Sequence, residues 1–325
     1  MALVHDAYGG PEVLKLATVP IPQPDHGQVL VRVHAAAINE WDQGLMRGKP
    51  LINRTGGLRR PRHRILGSDI AGVVDAVGAA VTRYRVGDEV FGDLSASGFG
   101  AFAQYAVAPE TALTRKPSWL TFEQAAAIPQ AGGLAIAGLR KTAPSGAGRR
   151  LLVNGAGGGV GTFAIQIAKA HGWDVTGVDG LAKLQAMRTL GADHTIDFRR
   201  VDFARTGEQY DLILDMVCSR SPLDYGRALR PRGVGAVIGG RTGRLAMAAA
   251  FGQTMRLAAG RRVSLVMYRA NRTEDMALLL HLISERTVTP VIDREFDLAE
   301  SPRAMRYYLQ GDFVGKVVLR VRQER

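Results

Sequence analysis

The sequence predicts a mixed α/β fold in which a β-rich domain is interrupted by a second domain built on a parallel sheet. Residues 1–115 contain short runs of Val, Ile and Ala broken by Gly, Asp and Pro, a pattern typical of strands and turns. From Leu151 onward, apolar runs alternate with helical spacing, which indicates a doubly wound parallel sheet. The tail from Val288 returns to a strand, helix, strand pattern.

The chain has 325 residues, which exceeds the usual size of a single core, so two domains are expected. We predict three segments, 1–115, 116–286 and 287–325, of which the first and last form the β-rich domain. Its strands are expected in "VLVRVHAAAI", "DIAGVVDAVG" and "GDEVFG". The strands of the parallel sheet are expected in "LLVN", "WDVTGV", "HTID", "DLILD", "GAVIG" and "VSLVM", with helices over 160–170, 181–190, 222–230, 245–259 and 273–286.

A glycine-rich loop joins the first strand and helix of the parallel sheet. Five of the seven residues 155–161 are glycine, and the helical spacing begins inside them. Read back from Gly161, the loop is an A-x-G-x-x-G variant of the dinucleotide fingerprint. Small residues permit a tight turn and close approach of a pyrophosphate to a helix N-terminus. The expected contacts are Ala156, Gly158, Gly159, Val160 and Gly161.

An acidic residue follows the loop at the distance that dinucleotide binding requires. Asp179 lies 18 residues after Gly161, at the end of the next predicted strand. A carboxylate there accepts hydrogen bonds from an adenosine ribose. The alternative is a turn residue before Gly180.

Composition excludes several classes of site. The only cysteine is Cys218, so neither an intrachain disulfide nor a four-cysteine zinc site can form. The formal net charge is +12, but the arginines are scattered and few aromatics accompany them, so no nucleic-acid partner is expected. No apolar run reaches the roughly 20 residues that cross a bilayer, and no leader pattern is visible, so a cytoplasmic protein without a membrane partner is expected.

The densest basic run comprises Arg59, Arg60, Arg62, His63 and Arg64. Its simplest interpretation is a solvated loop. The alternative is a binding patch for an anionic substrate such as a phosphate-bearing thioester.

Eight stretches of the chain point together to one known family. They are "GGPEVLKL", "GQVLVRVHAAAINEWD", "ILGSDIAGVVDAVGAAVTRYRVGDEVFG", "FAQYAVAP", "AAAIP", "NGAGGGVGTFAIQIAK", "LGADHTID" and "GKVVL". Together they resemble the medium-chain dehydrogenase/reductase superfamily, in its zinc-independent quinone oxidoreductase-like branch. The likeness is collinear over nearly the whole chain and implies a GroES-like β domain with a Rossmann doubly wound parallel-sheet domain.

The resemblance also indicates that this chain lacks the zinc ligands of related alcohol dehydrogenases. Zinc alcohol dehydrogenases of this superfamily bind catalytic zinc through Cys, His and Cys. This chain has Asn39 at the first position and Gly67-Ser68-Asp69 at the second. We therefore expect no metal ligands and no metal.

Two residues of "INEWD" match the N-x-x-D sequence that lines the active-site slot of quinone oxidoreductase-like enzymes. By that resemblance, Asn39 orients the nicotinamide or a substrate carbonyl through its amide, and Asp42 fixes the local loop. The alternative is that both residues cap a turn and the following helix. Relatives often carry a tyrosine where this chain has Gly44, so the proton donor is not identified. Trp41 is expected in the core rather than in a pocket wall.

The predicted nicotinamide cofactor is NADH in preference to NADPH. Relatives mostly use NADPH and surround its 2′-phosphate with a small residue, a cation and a tyrosine. An acid about 4 Å from a phosphate charge costs roughly 1 to 4 kcal/mol. Lys183 or Arg199 could restore NADPH binding. The corresponding positions of this chain hold Asp179, Gly180, Ala182 and Phe198.

By resemblance alone, Gly239, Gly240 and Arg241 contact the nicotinamide end of the cofactor. Lys316 of "GKVVL" lies where relatives approach the active site, and the alternative is an exposed lysine. The expected function is hydride transfer to a small electron-poor acceptor, a quinone or an enone, by a homodimer. Two alternatives stay open: a trans-acting enoyl-thioester reductase, and a non-catalytic dinucleotide-binding sensor or RNA-binding relative.

Overall fold

The computed structural model describes residues 1–54, 57–142, 147–240, 243 and 260–321. The chain forms two compact units. The first comprises Met1–Gln130, Ala270–Met276 and Ile292–Arg325, and the second comprises Ala131–Arg269 and Ala277–Val291. The predicted segments 1–115, 116–286 and 287–325 divide the chain at other points, so those boundaries stay predictions.

The first unit is built on a mostly antiparallel sheet that includes strands from both ends of the chain. Among the described residues this sheet has seven strands in the order β14-β15-β3-β4-β5-β7, with β6 paired to β3. β14 and β15 are parallel, whereas the other pairs are antiparallel. β1 and β2 form a separate antiparallel pair. The bounds are β1 Ala2–Val4, β2 Lys15–Ala17, β3 Gln28–Ala37, β4 Asp69–Val77, β5 Glu89–Asp93, β6 Tyr105–Pro109, β7 Leu113–Arg115, β14 Ile292–Asp297 and β15 Lys316–Arg320.

Alternation along β3 explains how the first unit acquires its core. Val29, Val31 and Val33 are fully buried and point to one face, because successive side chains of a strand point to opposite faces. They pack with Ile70 of β4 and Phe102 in one apolar cluster. This cluster fixes the end of β3 relative to the start of β4. The polar residues that follow β3 and those that precede β4 are positioned in this way.

The second unit contains a parallel sheet in the strand order β10-β9-β8-β11-β12-β13. Counted from β8, this is the 3-2-1-4-5-6 order of a dinucleotide-binding fold. The order reverses between β8 and β11, and ligands of such sheets bind at the carboxyl ends of the strands at this point. The bounds are β8 Arg150–Asn154, β9 Asp174–Asp179, β10 His194–Asp197, β11 Tyr210–Asp215, β12 Leu229–Val237 and β13 Arg262–Leu265.

The helices of the described residues connect these strands. A 3-10 turn, Leu181–Lys183, precedes α5, so the predicted helix 181–190 divides into two pieces. None of the described helices has the length and hydropathy that a membrane span requires. The bounds are α1 Glu40–Arg47, α2 Phe122–Ala126, α3 Pro129–Leu139, α4 Gly159–Ala170, α5 Leu184–Thr189, α6 Pro222–Ala228, α7 Thr273–Ser284 and α8 Ser301–Gln310.

The predicted architecture is confirmed: a unit on a mostly antiparallel sheet and a unit on a doubly wound parallel sheet are both present. Each predicted strand of the parallel sheet overlaps an observed one. The predicted helix over 245–259 lies outside the described residues.

Candidate functional site

The glycine loop of the second unit connects β8 to α4. A Cβ on Gly161 would lie 2.5 Å from the carbonyl oxygen of Ala156 and would also meet that of Gly155. Gly155 itself has a φ of +87°, which side chains disfavour. The first helical turn therefore packs directly on the loop backbone, and this packing requires glycine at 161.

The N-terminus of α4 is suited to a phosphate group. Gly158 is the N-cap, in an extended conformation and without a side-chain cap. A Cβ at Gly158 would meet only Gly155 O, at 3.4 Å, so the space beside this backbone is open. The first amides of a helix have no intrahelical acceptor and favour an anion. The predicted contacts Gly158, Gly159, Val160 and Gly161 thus form a cradle that fits a dinucleotide pyrophosphate.

Asp179 connects the end of β9 to this loop. Its Oδ2 accepts the N–H of Gly157 at 2.9 Å, and its Oδ1 accepts that of Gly180 at 2.8 Å. Lys183 Nζ lies 3.6 Å from Oδ1, and both side chains are nearly buried. A carboxylate oxygen can accept a second hydrogen bond, so ribose hydroxyls can still bind. The Lys183 ammonium group therefore offsets part of the negative charge of the Asp179 carboxylate.

Phe198 lies beside the end of β9. Its Cε1 would be 3.8 Å from a Cβ on Gly180, and 50% of the residue is exposed. The Arg199 guanidinium lies 5.6 Å from the centre of its ring. An exposed ring with a cation beside it can stack on a flat base.

The loop after β12 also approaches the carboxyl end of β11. Gly240 has a φ of +131°, and a Cβ there would lie 2.5 Å from both Val217 O and Cys218 Cβ. A Cβ at Gly239 would meet Met216 O at 3.3 Å. Arg241, the third residue predicted here, lies outside the described residues.

A buried polar network at the ends of β8 and β11 escaped the sequence analysis. Asp215 accepts hydrogen bonds from Tyr225 Oη at 2.7 Å, Asn154 Nδ2 at 3.0 Å and the Cys218 N–H at 2.7 Å. Burial and the Asp215 carboxylate raise the pKa of Tyr225. The available signal was a strand, "DLILD", that ends on an acid at the switch point of the sheet.

The two predicted catalytic residues of the first unit meet at the start of α1. Asn39 is the N-cap, and its N–H donates to Asp42 Oδ2 at 2.8 Å in a capping box. Asp42 Oδ1 accepts the N–H of Gly67 at 3.0 Å. Asp42 is fully buried, and this burial raises its pKa to about 7. The carboxyl group therefore ties the start of α1 to the chain before β4, as a loop-fixing or capping role requires.

The Asn39 side chain lies in a buried group of polar residues, which we name the Asn39 cluster. Its Nδ2 donates to Ser68 Oγ and Asp69 Oδ2, both at 2.9 Å. Lys316 Nζ donates to Asn39 Oδ1 at 2.5 Å and to Asp69 Oδ2 at 3.2 Å. The amide is thus engaged within the protein. Its predicted role toward a nicotinamide or substrate carbonyl stays a prediction.

Gln130 completes the Asn39 cluster, which comprises Asn39, Ser68, Asp69, Gln130 and Lys316. The Gln130 N–H donates to Asp69 Oδ1 at 3.1 Å, and its Nε2 donates to Ser68 Oγ at 3.3 Å. Burial raises the pKa of Asp69 to about 6, although Lys316 opposes the shift. Sequence reasoning selected Asn39 and Lys316 separately but not their contact.

Comparison with known proteins gives the family. Residues 25–118 match the alcohol dehydrogenase GroES-like domain, and residues 190–319 match the zinc-binding dehydrogenase family. The chloroplastic quinone-oxidoreductase QR1 of Triphysaria versicolor is 30% identical over 98% of this chain and 97% of its own length. The chain belongs to the medium-chain dehydrogenase/reductase superfamily, in its quinone oxidoreductase-like branch.

Two further relatives of this superfamily member are informative. The chloroplastic NADPH-dependent alkenal/one oxidoreductase of Arabidopsis thaliana is 37% identical over 66% of this chain and 57% of its own length. The structure of the quinone oxidoreductase from Coxiella burnetii has a TM-score of 0.87 at 28% identity and covers 99% of both chains.

The matched family is described as zinc-binding, but this member offers no suitable donor set in the ranges that the structure describes. No group of three or more His, Cys, Asp or Glu residues there could hold a metal. Zinc requires three or four nitrogen, sulfur or carboxylate ligands. At the corresponding positions lie the Asn39 amide and the Ser68 hydroxyl, and the Lys316 ammonium, a donor without a lone pair, contacts Asn39. These residues do not fit zinc.

Proposed function

We propose that this protein is an NAD(P)H-dependent reductase that transfers hydride to a quinone or to the C=C bond of an α,β-unsaturated carbonyl compound. The donor chemistry of the Asn39 cluster carries the proposal. Amide, hydroxyl and ammonium groups replace metal ligands there, so the acceptor must be electron-poor without polarisation by a metal. The named relatives, quinone and alkenal/one oxidoreductases, support this class of acceptor.

The residues of the chain bind the dinucleotide and hold the Asn39 side chain in place. When bound, NAD(P)H supplies a hydride, and so two electrons, to the acceptor, and a proton from solvent completes the reduction. Backbone amides at the start of α4 bind the pyrophosphate, and Asp179 accepts hydrogen bonds from ribose hydroxyls. Lys316 and Asp42 hold Asn39 in one orientation at the start of α1.

Steady-state oxidation of NADH and NADPH with a panel of acceptors tests the proposal. The panel contains 1,4-benzoquinone, 1,4-naphthoquinone, a 2-alkenal and cyclohexenone, with cyclohexanone as the saturated control. Turnover of the conjugated acceptors but not of cyclohexanone is expected. A protein that binds dinucleotide and turns over none of them is a sensor rather than a reductase.

We also infer a preference for NADH over NADPH. The Asp179 carboxylate at the end of β9 supports it, since a negative charge there repels a 2′-phosphate. Lys183, 3.6 Å from that carboxylate, and Arg199 oppose it. A higher kcat/KM for NADPH than for NADH contradicts the inference.

The basic run favours a second candidate, an enoyl-thioester reductase. Arg59, Arg60 and Arg62 are exposed, which suits the phosphates of a carrier or coenzyme. Arg64 is instead paired with Asp6 at 2.6 Å. Activity on crotonyl-CoA that falls when Arg59, Arg60 and Arg62 are neutralised supports this candidate.

Homodimer formation stays a prediction, which light scattering on the purified protein checks.

A further inference from the structure

A cavity of about 320 Å³ lies beside α1 in the first unit. This volume matches the lower range of small-molecule sites. Gly44 contributes to its form, because a Cβ at Gly44 would lie 2.6 Å from Asn53 Nδ2, and Asn53 lines the cavity. The lining includes His5, Trp41, Asn53, Arg62, His63 and Phe99.

Aromatic rings form one wall of the cavity. Trp41 and Phe99 meet edge to face with centroids 5.8 Å apart, and Phe99 meets the His63 ring at 5.1 Å. Trp41 is 45% exposed, so the expectation that it belongs to the core is wrong. Its indole lies on the cavity because α1 begins at Glu40 and presents Trp41 in its first turn. Flat conjugated ligands stack favourably on such rings.

The backbone at Phe99 is strained. Its φ is +66°, between two glycines that also have positive φ, Gly98 and Gly100. A bulky residue with a φ in this region is an outlier, and such outliers are concentrated at ligand sites and active sites. With this backbone conformation the Phe99 ring contacts both Trp41 and His63.

The charge of the lining is positive and concentrated on one residue. Among the described residues that line the cavity, Arg62 is the only one that is always charged, and none is Asp or Glu. Burial lowers the pKa of both His5 and His63, which favours their neutral forms. The nearby acid Asp6 is already paired with Arg64. Arg62 is therefore available to an anion at the aromatic wall.

We propose that this cavity binds a planar conjugated acceptor that carries a negative substituent, with its rings against Trp41 and Phe99 and its anion on Arg62. The proposal rests on the proposed function and deepens it by naming the substrate class. The negative substituent is a carboxylate, a sulfonate or a phosphate, because the Arg62 guanidinium binds each of these through two parallel N–H groups.

A pair of acceptors that differ only in charge tests the proposal. 1,4-Naphthoquinone-2-sulfonate and 1,4-naphthoquinone are compared in the wild-type protein, in R62Q and in R306Q, whose arginine is exposed on α8 away from the lining. R62Q is expected to lower kcat/KM about tenfold or more for the sulfonate and less than twofold for the neutral quinone, since a charge-assisted hydrogen bond is lost. R306Q is expected to change neither. Equal effects of R62Q on both acceptors overturn the proposal.

Binding without turnover separates this site from the proposed function. Without NAD(P)H, the sulfonate should quench the fluorescence of Trp41, so W41F should lose most of the quenching. W119F is the matched control, because Trp119 is 49% exposed and does not line the cavity. Quenching without any turnover contradicts the reductase and retains the site. Turnover with quenching unchanged in W41F contradicts the site and retains the reductase.

Crotonyl-CoA forms the second arm of the test and distinguishes the source of the anion. A KM for crotonyl-CoA that rises about tenfold in R62Q, with the sulfonate as its competitor, assigns the anion to a coenzyme phosphate. A sulfonate effect without a thioester effect assigns it to the acceptor ring. No effect of R62Q on either compound overturns the site.

Discussion

Lys316 Nζ donates to Asn39 Oδ1 at 2.5 Å, although the two residues are 277 positions apart in the chain. Lys316 is 3% exposed and Asn39 is 6% exposed. The same ammonium group lies 3.2 Å from Asp69 Oδ2. Lys316, in the last described strand of the chain, thus supplies the cation that contacts the Asp69 carboxylate and the Asn39 amide. Both of these residues lie in the first part of the chain.

Removal of that cation should destabilise the protein. In K316M the buried Asp69 carboxyl loses its cationic partner, so it must stay charged alone or take up a proton, and the removal of one partner from a buried ion pair costs about 3 to 5 kcal/mol. Urea unfolding measures the loss, with K15M as a control because Lys15 is exposed. The double variant K316M/D69N should regain much of the stability. K316M with wild-type stability contradicts the role of this pair.

The stability should fall with rising pH because of Asp42. Its pKa is about 7 in the folded protein and near 3.9 when unfolded, so the folded state binds the proton more tightly. This contribution is complete below about pH 4 and is lost as the pH rises through about 7, at up to roughly 1.4 kcal/mol per pH unit.

Urea unfolding of the wild type and D42N between pH 4 and pH 8 measures this contribution. D42N cannot titrate, so the difference in the free energy of unfolding should shrink as the pH rises. The lower overall stability of D42N does not affect this slope. A difference that is constant with pH contradicts the prediction.

The sequence predicted those features that depend on local pattern. β8, the glycine loop and α4 follow from neighbouring residues, and the spacing of Asp42 from Asn39 allowed a capping role as one of two alternatives. The contact of Lys316 with Asn39 could not be predicted in this way, because sheet pairing between distant strands, β15 with β3, creates it.

The exposure of Trp41 was missed for a different reason. An indole is usually buried, and its position depends on where α1 begins and on the positive φ of Phe99. Neither feature has a periodic signature in the sequence. The Asp179–Lys183 ion pair could not be found from helical spacing either, because Asp179 ends β9 and Lys183 ends the 3-10 turn that follows it.

Two glycines of the loop should respond differently to alanine. In G161A the new Cβ meets the Ala156 and Gly155 carbonyl oxygens, so the melting temperature should fall by several degrees. In G158A the Cβ enters open space, so the melting temperature should be retained. The methyl group there occupies the pyrophosphate cradle, and the Kd for NADH should rise at least tenfold.

Circular dichroism melts and the fluorescence of bound NADH measure both variants. The comparison separates packing from ligand contact within one loop. Wild-type affinity of G158A for NADH would show that the pyrophosphate binds elsewhere.

The choice between NADH and NADPH should depend on the ion pair of Asp179 and Lys183. D179S removes the negative charge and leaves the ammonium group to a 2′-phosphate, so the kcat/KM ratio of NADPH to NADH should rise about tenfold or more. K183Q should lower that ratio. The ratio is the measured quantity, because loss of the contact with Gly157 weakens the binding of both cofactors. The control is K169Q, which breaks a comparable Lys169–Asp193 pair at the far end of α4 and should leave the ratio unchanged. If D179S and K183Q change the ratio no more than K169Q does, this pair does not select the cofactor.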